Sequence, residues 1–167
     1  DWGAIRTPSK EALLKFRNKG LDVANSIYQN DALASQEDLE LLFDVLQKYK
    51  GGNNKPAKIT ANAIMANPDF EKIKNSGYKE FHYEIFTETF KKYPKHDNNL
   101  SIWKQGIKNN IFQPQYHGRE HLNYKRWLSV LQTQNEAALF CFNNTATYSG
   151  QEDYSFMEAY DWDTKDD

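Results

Sequence analysis

The sequence predicts an α/β fold, in which short strands alternate with amphipathic helices. Apolar residues recur at helical spacing after Ser35, whereas Ala57–Asn62 and Phe81–Phe86 have the composition and alternation of strands. Residues 87–93, which follow the second of these strands directly, could form a helix. Because helices separate the strands, a parallel sheet is expected, with ligands at the carboxyl ends of its strands.

The first helix is predicted over Thr7–Lys19, with Pro8 at the first helical position and Gly20 after its end. Its buried side is predicted to contain Leu13, Leu14 and Phe16, with Leu21 beyond the end.

The helix after Ser35 has the strongest signal in the sequence. Ser35 is a good N-cap, and Asp38 stands three residues later, as in a capping box. The predicted apolar face consists of Leu39, Leu42, Phe43 and Leu46. Residues 51–56, rich in Gly and Asn, are predicted to form a surface loop. Three more helices are predicted over Asp69–Ser76, which Gly77 ends, Leu100–Asn110 and Tyr124–Ala138.

The composition excludes several classes of protein. A chain of 167 residues suits one domain, and a net charge of −2 favours neither nucleic acid nor an anionic membrane as a partner. No apolar run approaches the about 20 residues of a membrane span, and no signal segment precedes Asp1, so a cytoplasmic location is expected. The opening Asp1-Trp2-Gly3 and the acidic residues 161–167 indicate a piece of a longer protein.

The single cysteine, Cys141, cannot form an internal disulfide. It lies within Leu139-Phe140-Cys141-Phe142, which indicates a small buried apolar side chain more than a nucleophile.

The segment Gln113–Asn123 contains two of the four histidines, His117 and His121, four residues apart. One helical turn would place both imidazoles on one face, where they could bind a transition metal such as zinc. The same spacing also arises by chance on a solvated face. Gly118 would allow close approach of the backbone.

Asn123 is a good N-cap for the helix that follows, with Leu122 and Trp127 as a hydrophobic staple. The histidines are therefore expected in a strand-to-helix connection, where α/β proteins often carry their chemistry.

A catalytic metal site needs a third protein ligand. The candidates are Asp1, His82, His96, Glu120 or an acid of the C-terminal tail, and spacing alone does not choose among them. Structural or solvated roles are the more ordinary interpretation of His82 and His96.

The order of His117, Glu120 and His121 also matches the inverted zinc-protease motif H-x-x-E-H, with Glu120 as general base. That motif lies within a helix, whereas Gly118 and Asn123 favour a turn here. The nucleophile elbow G-x-S-x-G, the phosphate loop and the dinucleotide fingerprint are all absent from the sequence.

Residues 1–9 and 112–123, with the intervening Ala66–Glu71, resemble the polysaccharide deacetylase-like proteins of bacterial surface-polysaccharide clusters. These are divergent relatives of the NodB-homology carbohydrate esterases, of the carbohydrate esterase family 4 type, and the resemblance runs through most of residues 1–127. It implies part of a distorted (β/α) barrel and a metal-dependent hydrolase that removes acetyl groups from a sugar polymer.

The resemblance implies that Asp1, His117 and His121 bind a divalent transition metal such as Zn²⁺. It also implies a base aspartate just before Asp1, outside this sequence. The later family motifs, one of them bearing a catalytic histidine, have no clear match after His121, although Asp161-Trp162 is reminiscent of one.

Substrate contacts are expected from Arg6, Arg119 and Tyr116, although both arginines could instead form surface ion pairs. The rings of Tyr124 and Trp127 are also near in sequence, but Trp127 is expected in the core.

Two other functions stay open at this point. One is a non-catalytic carbohydrate-binding or scaffold domain of the same fold, and the other is the inverted zinc protease. The expected partner of the leading interpretation is an acetylated polysaccharide or oligosaccharide. Strands missing from such a barrel would expose sheet edges, so self-association is also expected.

Overall fold

The computed structural model describes residues 1–5, 9–21, 32–148 and 156. These residues form seven helices and four short strands, which confirms the mixed α/β class. The elements are α1 (Lys10–Asn18), α2 (Gln36–Lys48), β1 (Ile59–Ala63), β2 (Ala66–Pro68), α3 (Phe70–Asn75), β3 (Tyr83–Ile85), α4 (Phe86–Lys92), α5 (Asn99–Lys108), β4 (Phe112–Tyr116), α6 (Tyr124–Gln132) and α7 (Glu136–Asn143).

The chain divides into two compact units. The first comprises Asp1–Ala4, Ala34–Asn67 and Glu84–Arg119. The second comprises Ile5–Leu33, Pro68–Tyr83 and Glu120–Asp167. The single domain expected from the length stays a prediction.

The predicted parallel pairing is present in the first unit. Strands β1 and β4 are parallel, with Ile59 opposite Phe112 and Ala63 opposite Tyr116. Trp2 forms a parallel bridge to Ala63, so the first residues of the chain run beside β1. A second pair consists of β2 and β3.

Pro114 lies in the middle of β4, where its missing N–H is tolerated. Ile111 C=O accepts from Ile59 N–H (2.9 Å), and His117 N–H donates to Ala63 C=O (3.0 Å). The backbone N–H and C=O groups of the odd-numbered residues in and beside β4 therefore point toward β1. Since successive residues of a strand alternate, the nitrogen of Pro114 faces the opposite edge.

An aromatic cluster centred on Phe112 packs the first unit. The Phe112 ring lies 5.3 Å from Trp2, 5.4 Å from Phe43 and 5.2 Å from Trp103, measured between centroids. Such rings bury large apolar areas and favour the tilted and edge-on geometries seen here. The cluster therefore fixes α2 and α5 against β4.

The capping box predicted for α2 is confirmed. Ser35 Oγ accepts from Asp38 N–H (3.2 Å), and Asp38 Oδ2 accepts from Ser35 N–H (2.9 Å). Leu39 and Phe43 are buried, as the periodicity predicts.

In the second unit, α1 begins later than predicted. Ser9 is its N-cap and Lys10 its first residue. Thr7 and Pro8, where the helix is predicted to start, lie outside the described residues together with Arg6. Ala12, Leu13 and Phe16 are buried. Leu14 is exposed, contrary to the prediction, because it lies about 100° around the helix from Leu13 and away from this face.

The long helix predicted to reach Ala138 is wrong. It ends at Gln132, and α7 begins after Asn135, whose side chain accepts from Ala138 N–H. Gln134 has a φ of 60°, which no helix continues through. Asn135 is therefore the N-cap of a second helix within the segment that was predicted to be one helix.

The strand predicted over Phe81–Phe86 is shorter in the structure. Only Tyr83–Ile85 is extended, and Phe86 begins α4, in agreement with the helical alternative for residues 87–93. The Phe86 ring packs 5.2 Å from Trp103, which directs the chain into the helix.

Among the described residues of the second unit, buried apolar side chains form two clusters. The larger contains Ile73, Leu122, Trp127, Leu128, Leu131, Ala138, Phe142 and Phe156. The smaller contains Ala12, Leu13, Phe16, Cys141 and Ala146. None of the helices in the described part of the chain combines the length and apolarity that a membrane crossing requires.

We expect Gly106→Ala to destabilise the protein. A Cβ at this position of α5 would lie 2.5 Å from Phe43 Cζ and 2.7 Å from Phe112 Cβ, so the aromatic cluster would have to shift. The expected loss is about 1–3 kcal/mol in urea unfolding. Gly52→Ala is the matched control, because no atom lies within 4 Å of its Cβ position. Equal stability of the two variants would contradict this packing.

The predicted burial of Cys141 is confirmed, and desolvation by burial raises the pKa of its thiol from 9.0 to about 12. The native protein should therefore resist alkylation by iodoacetamide at about pH 8 and react after denaturation, as mass spectrometry can measure.

Because the folded-state pKa of the Cys141 thiol is higher than its unfolded-state pKa, the contribution of this thiol to stability is complete below pH 9.0 and is lost as the pH rises toward 12. Cys141→Ala should remove this part of the alkaline destabilisation.

Candidate metal centre

The backbone of the first unit places Asp1 and His117 on adjacent extended segments. Trp2 N–H donates to Asn62 C=O (2.8 Å), and Ile64 N–H donates to Trp2 C=O (2.9 Å). On the other side of β1, His117 N–H donates to Ala63 C=O. The residues that begin the chain and those that follow β4 thus flank the same end of β1.

The side chains of Asp1 and His117 approach each other there. His117 Nε2 lies 3.6 Å from Asp1 Oδ1, and the side chains of His117 and Asp1 are 39% and 16% exposed. Gly3, two residues after Asp1, has a φ of 81°, and a Cβ there would lie 3.1 Å from the carbonyl oxygen of Ile64. Glycine therefore allows the chain to turn close against β1 just after the carboxylate.

The histidine segment forms the strand-to-helix connection that Gly118 and Asn123 predict, and it is not a helical turn. Residues 117–123 form a loop in which Gly118 has a φ of 129°. The carbonyl oxygens of Gly118 and Arg119 accept from Met65 N–H (3.1 Å) and Ala66 N–H (2.8 Å), so the backbone continues beside the chain that follows β1. These pairings use carbonyl groups that a helical turn would need.

The connection leads into α6 as predicted. Asn123 is the N-cap, and its side chain accepts from Arg126 N–H (3.2 Å). Leu122 and Trp127 are buried in the same cluster, as a hydrophobic staple requires. His121 precedes this staple and is half-buried.

The three predicted metal ligands form one group. Among the described residues, Asp1, His117 and His121 each offer one ligand atom, and these atoms all lie within 4.8 Å of one another. Two imidazoles and a carboxylate are a donor set that zinc and iron bind.

The spacing suits a small ion. Ligand bonds of about 2.0–2.2 Å at a tetrahedral angle separate two ligand atoms by about 3.3–3.6 Å. The 3.6 Å between Asp1 Oδ1 and His117 Nε2 matches the upper end of that range. The same distance also allows an ion pair when His117 is protonated, so metal titration is needed to distinguish the two.

A buried hydrogen-bond network holds the segment that carries Asp1. Asn67 Nδ2 donates to Gly3 C=O (2.8 Å) and lies 3.2 Å from Thr89 Oγ1. Thr89 in turn donates to Glu84 Oε1 (3.0 Å), and Lys92 Nζ forms an ion pair with Glu84 Oε2. Asn67 and Thr89 are buried.

Sequence reasoning missed this network. Asn67 precedes the predicted helix Asp69–Ser76, and the structure places it in β2, where every residue is buried. Its position after the apolar Ile64-Met65-Ala66 was the available signal, because a buried amide needs hydrogen-bond partners.

The other candidates for the third ligand have different surroundings. His96 is buried, with Nδ1 2.8 Å from Pro94 C=O. His82 Nε2 lies 3.5 Å from Glu80 Oε2. Neither histidine belongs to the ligand group in the described residues, and Glu120 does not belong to it either.

Of the expected substrate contacts, Tyr116 is the clearest. It ends β4 with 71% of its surface exposed. Arg119 is also exposed, whereas Arg6 lies outside the described residues, as does Asp161-Trp162. Tyr124 is stacked on Phe81 with 4.6 Å between centroids, and Trp127 is in the core as predicted.

Comparison of the chain with models of protein families, with curated proteins and with solved structures gives no match.

Proposed function

We propose that this chain is part of a metal-dependent hydrolase that removes acetyl groups from a polysaccharide or oligosaccharide. The close group of Asp1, His117 and His121 carries the proposal. A carboxylate and two imidazoles leave coordination positions for water or substrate, as catalytic sites do. The parallel pair β1 and β4 supports a (β/α) barrel of the NodB-homology type as the parent fold.

In this proposal, Asp1, His117 and His121 hold a divalent transition metal, with zinc as the first choice. When bound, the metal supplies Lewis-acid chemistry at the acetyl carbonyl. A base aspartate would stand immediately before Asp1 in the parent protein. Tyr116 would stack on a sugar ring, and Arg119, with Arg6, would orient the polymer. The cytoplasmic location expected from the sequence stays a prediction.

A non-catalytic carbohydrate-binding domain is the second candidate, and the exposed ring of Tyr116 favours it. An aromatic ring at the end of a strand can bind sugar without any chemistry. The inverted zinc protease has less support, because residues 117–123 are not helical. Its distinctive expectation is that Glu120→Gln abolishes peptide cleavage while Asp1→Asn has no effect.

The proposed site predicts metal binding. The purified protein should bind about one zinc ion per chain, and Asp1→Asn, His117→Ala and His121→Ala should each weaken binding by at least about tenfold, because each removes a ligand. Isothermal titration calorimetry and elemental analysis measure this. All proteins should carry one alanine before Asp1, so that a free α-amino group does not act as a ligand.

His82→Ala is the matched control, since it removes a histidine outside the ligand group. It should leave the zinc affinity unchanged. Full affinity after either His117→Ala or His121→Ala would rule out the site.

A pair of extended chains tests the hydrolase and the binding domain against each other. Chains with Asp or Ala before Asp1 should bind zinc equally, because neither change touches the ligands. Acetate release from acetylated oligosaccharides should occur only in the parent protein or the Asp-extended chain, and His117→Ala should abolish it. Sugar binding without acetate release in the parent protein would favour the binding domain.

The Asn67 network gives another prediction. Asn67→Leu removes the hydrogen bond to Gly3 and should lower zinc affinity about tenfold, the usual effect of losing a group that orients a ligand. Asn99→Leu is the control, because Asn99 is also buried and donates to a backbone carbonyl, but that carbonyl belongs to Ala34 (2.7 Å) and not to the segment that carries Asp1. Equal affinity losses in the two variants would indicate general destabilisation only.

A further inference from the structure

The hydrogen-bond network that holds the Gly3 carbonyl ends at a charged pair. Asn67 Nδ2 donates both to Gly3 C=O (2.8 Å) and to Thr89 Oγ1 (3.2 Å). Thr89 Oγ1 in turn lies 3.0 Å from Glu84 Oε1, and Glu84 Oε2 forms an ion pair with Lys92 Nζ. All five residues belong to the first unit. A continuous path of hydrogen bonds therefore connects the carboxylate of Glu84 with the backbone of Gly3.

The carboxylate sets the direction of this path. An ionised carboxylate can only accept hydrogen bonds, so the hydroxyl hydrogen of Thr89 has to point at Glu84. Thr89 Oγ1 then offers its lone pairs to Asn67, which must present its NH2 group and not its oxygen. The same NH2 group donates its second hydrogen to Gly3 C=O. The amide of Asn67 is therefore held in one of its two orientations.

Burial makes the reversed direction unfavourable. Asn67 and Thr89 are 2% and 1% exposed, so water cannot easily replace a lost partner. A flipped Asn67 amide would place its oxygen against the carbonyl oxygen of Gly3, and neither of these two acceptors can donate. The network therefore has one favourable arrangement, and this arrangement depends on the negative charge of Glu84.

We propose that Glu84 is a positioning residue of the metal centre. Its charge orients the amide of Asn67 through the Thr89 hydroxyl. Asn67 in turn fixes the Gly3 carbonyl, two residues after Asp1. This role rests on the proposed function, because Asp1 is taken there as a metal ligand. Groups that orient a ligand typically change metal affinity by roughly 10- to 100-fold when they are lost.

Glutamine in place of Glu84 would reverse the path. An amide has one accepting end and one donating end, and the ammonium group of Lys92, which only donates, would attract the amide oxygen. The NH2 end would then donate to Thr89, whose hydroxyl hydrogen would turn toward Asn67. Asn67 could accept that hydrogen only with the flipped amide, which faces Gly3 C=O unfavourably.

Zinc titration by calorimetry on the alanine-extended chain tests this role. Glu84→Gln should weaken zinc binding at least about tenfold. The double variant Glu84→Gln/Lys92→Met should restore most of the affinity, because without the ammonium group the amide oxygen can again accept from Thr89. Lys92→Met alone should change the affinity little, since the carboxylate still accepts. A role of the ion pair in general stability would instead make Lys92→Met as harmful as Glu84→Gln.

Glu88→Gln is the matched control. Glu88 Oε1 also pairs with a lysine of α4, Lys91 (2.6 Å), and the two side chains are 50% and 64% exposed. The hydrogen bonds that fix Asn67 involve neither of them. Zinc affinity should therefore be unchanged in this variant.

NMR spectroscopy of the metal-free protein gives a readout that does not need zinc. The two side-chain amide hydrogens of Asn67, assigned by their loss in Asn67→Leu, should exchange slowly with solvent, because both are bonded in a buried network. Glu84→Gln should accelerate this exchange several-fold, and the double variant with Lys92→Met should slow it again.

The outcomes distinguish the positioning role from the proposed function. An unmodified chain that binds no zinc would overturn the proposed function, and unchanged Asn67 exchange in Glu84→Gln would then overturn the orientation by Glu84 as well. In a chain that binds zinc, full affinity of Glu84→Gln would overturn the positioning role alone. A double variant that binds zinc as weakly as Glu84→Gln, or an equal loss in Glu88→Gln, would also overturn it.

Discussion

Two segments remote in sequence run along opposite sides of β1. Trp2 exchanges hydrogen bonds with Asn62 and Ile64 on one side, and β4 pairs with Ile59–Ala63 on the other. The carboxylate of Asp1 and the imidazole of His117 depend on this arrangement for their proximity. A shift of one residue in either register would turn these side chains to the other face of the sheet, because side chains alternate along a strand.

The packing around this strand is mostly aromatic. Phe112 touches Trp2, Phe43 and Trp103, so a single ring links the first residues of the chain, α2 and α5. Gly106 permits α5 to approach that ring closely. This packing holds the backbone segments that carry Asp1 and His117. The polar counterpart is Asn67, which fixes the Gly3 carbonyl from the buried side.

Local signals identified the features that local chemistry determines. The caps at Ser35 and Asn123, the strand near Ile59 and the histidine pair all follow from residue type and spacing. The sequence did not reveal that Trp2 pairs with Ala63, or that Asn67 supports Gly3, because these contacts join residues about sixty positions apart. Gly118 and the Asn123 cap predict the strand-to-helix connection that contains His117, whereas the pairing of its backbone with Met65 is another contact between remote residues that spacing does not show.

The proline in the middle of β4 limits the backbone pairing that the outer edge of this strand can offer. Because the nitrogen of Pro114 points away from β1, the outer edge of β4 lacks a donor at its centre, and an incoming strand could not form a continuous ladder there. Fibril growth requires such a ladder at every layer. A ladder extended along this edge of β4 would therefore be interrupted at residue 114.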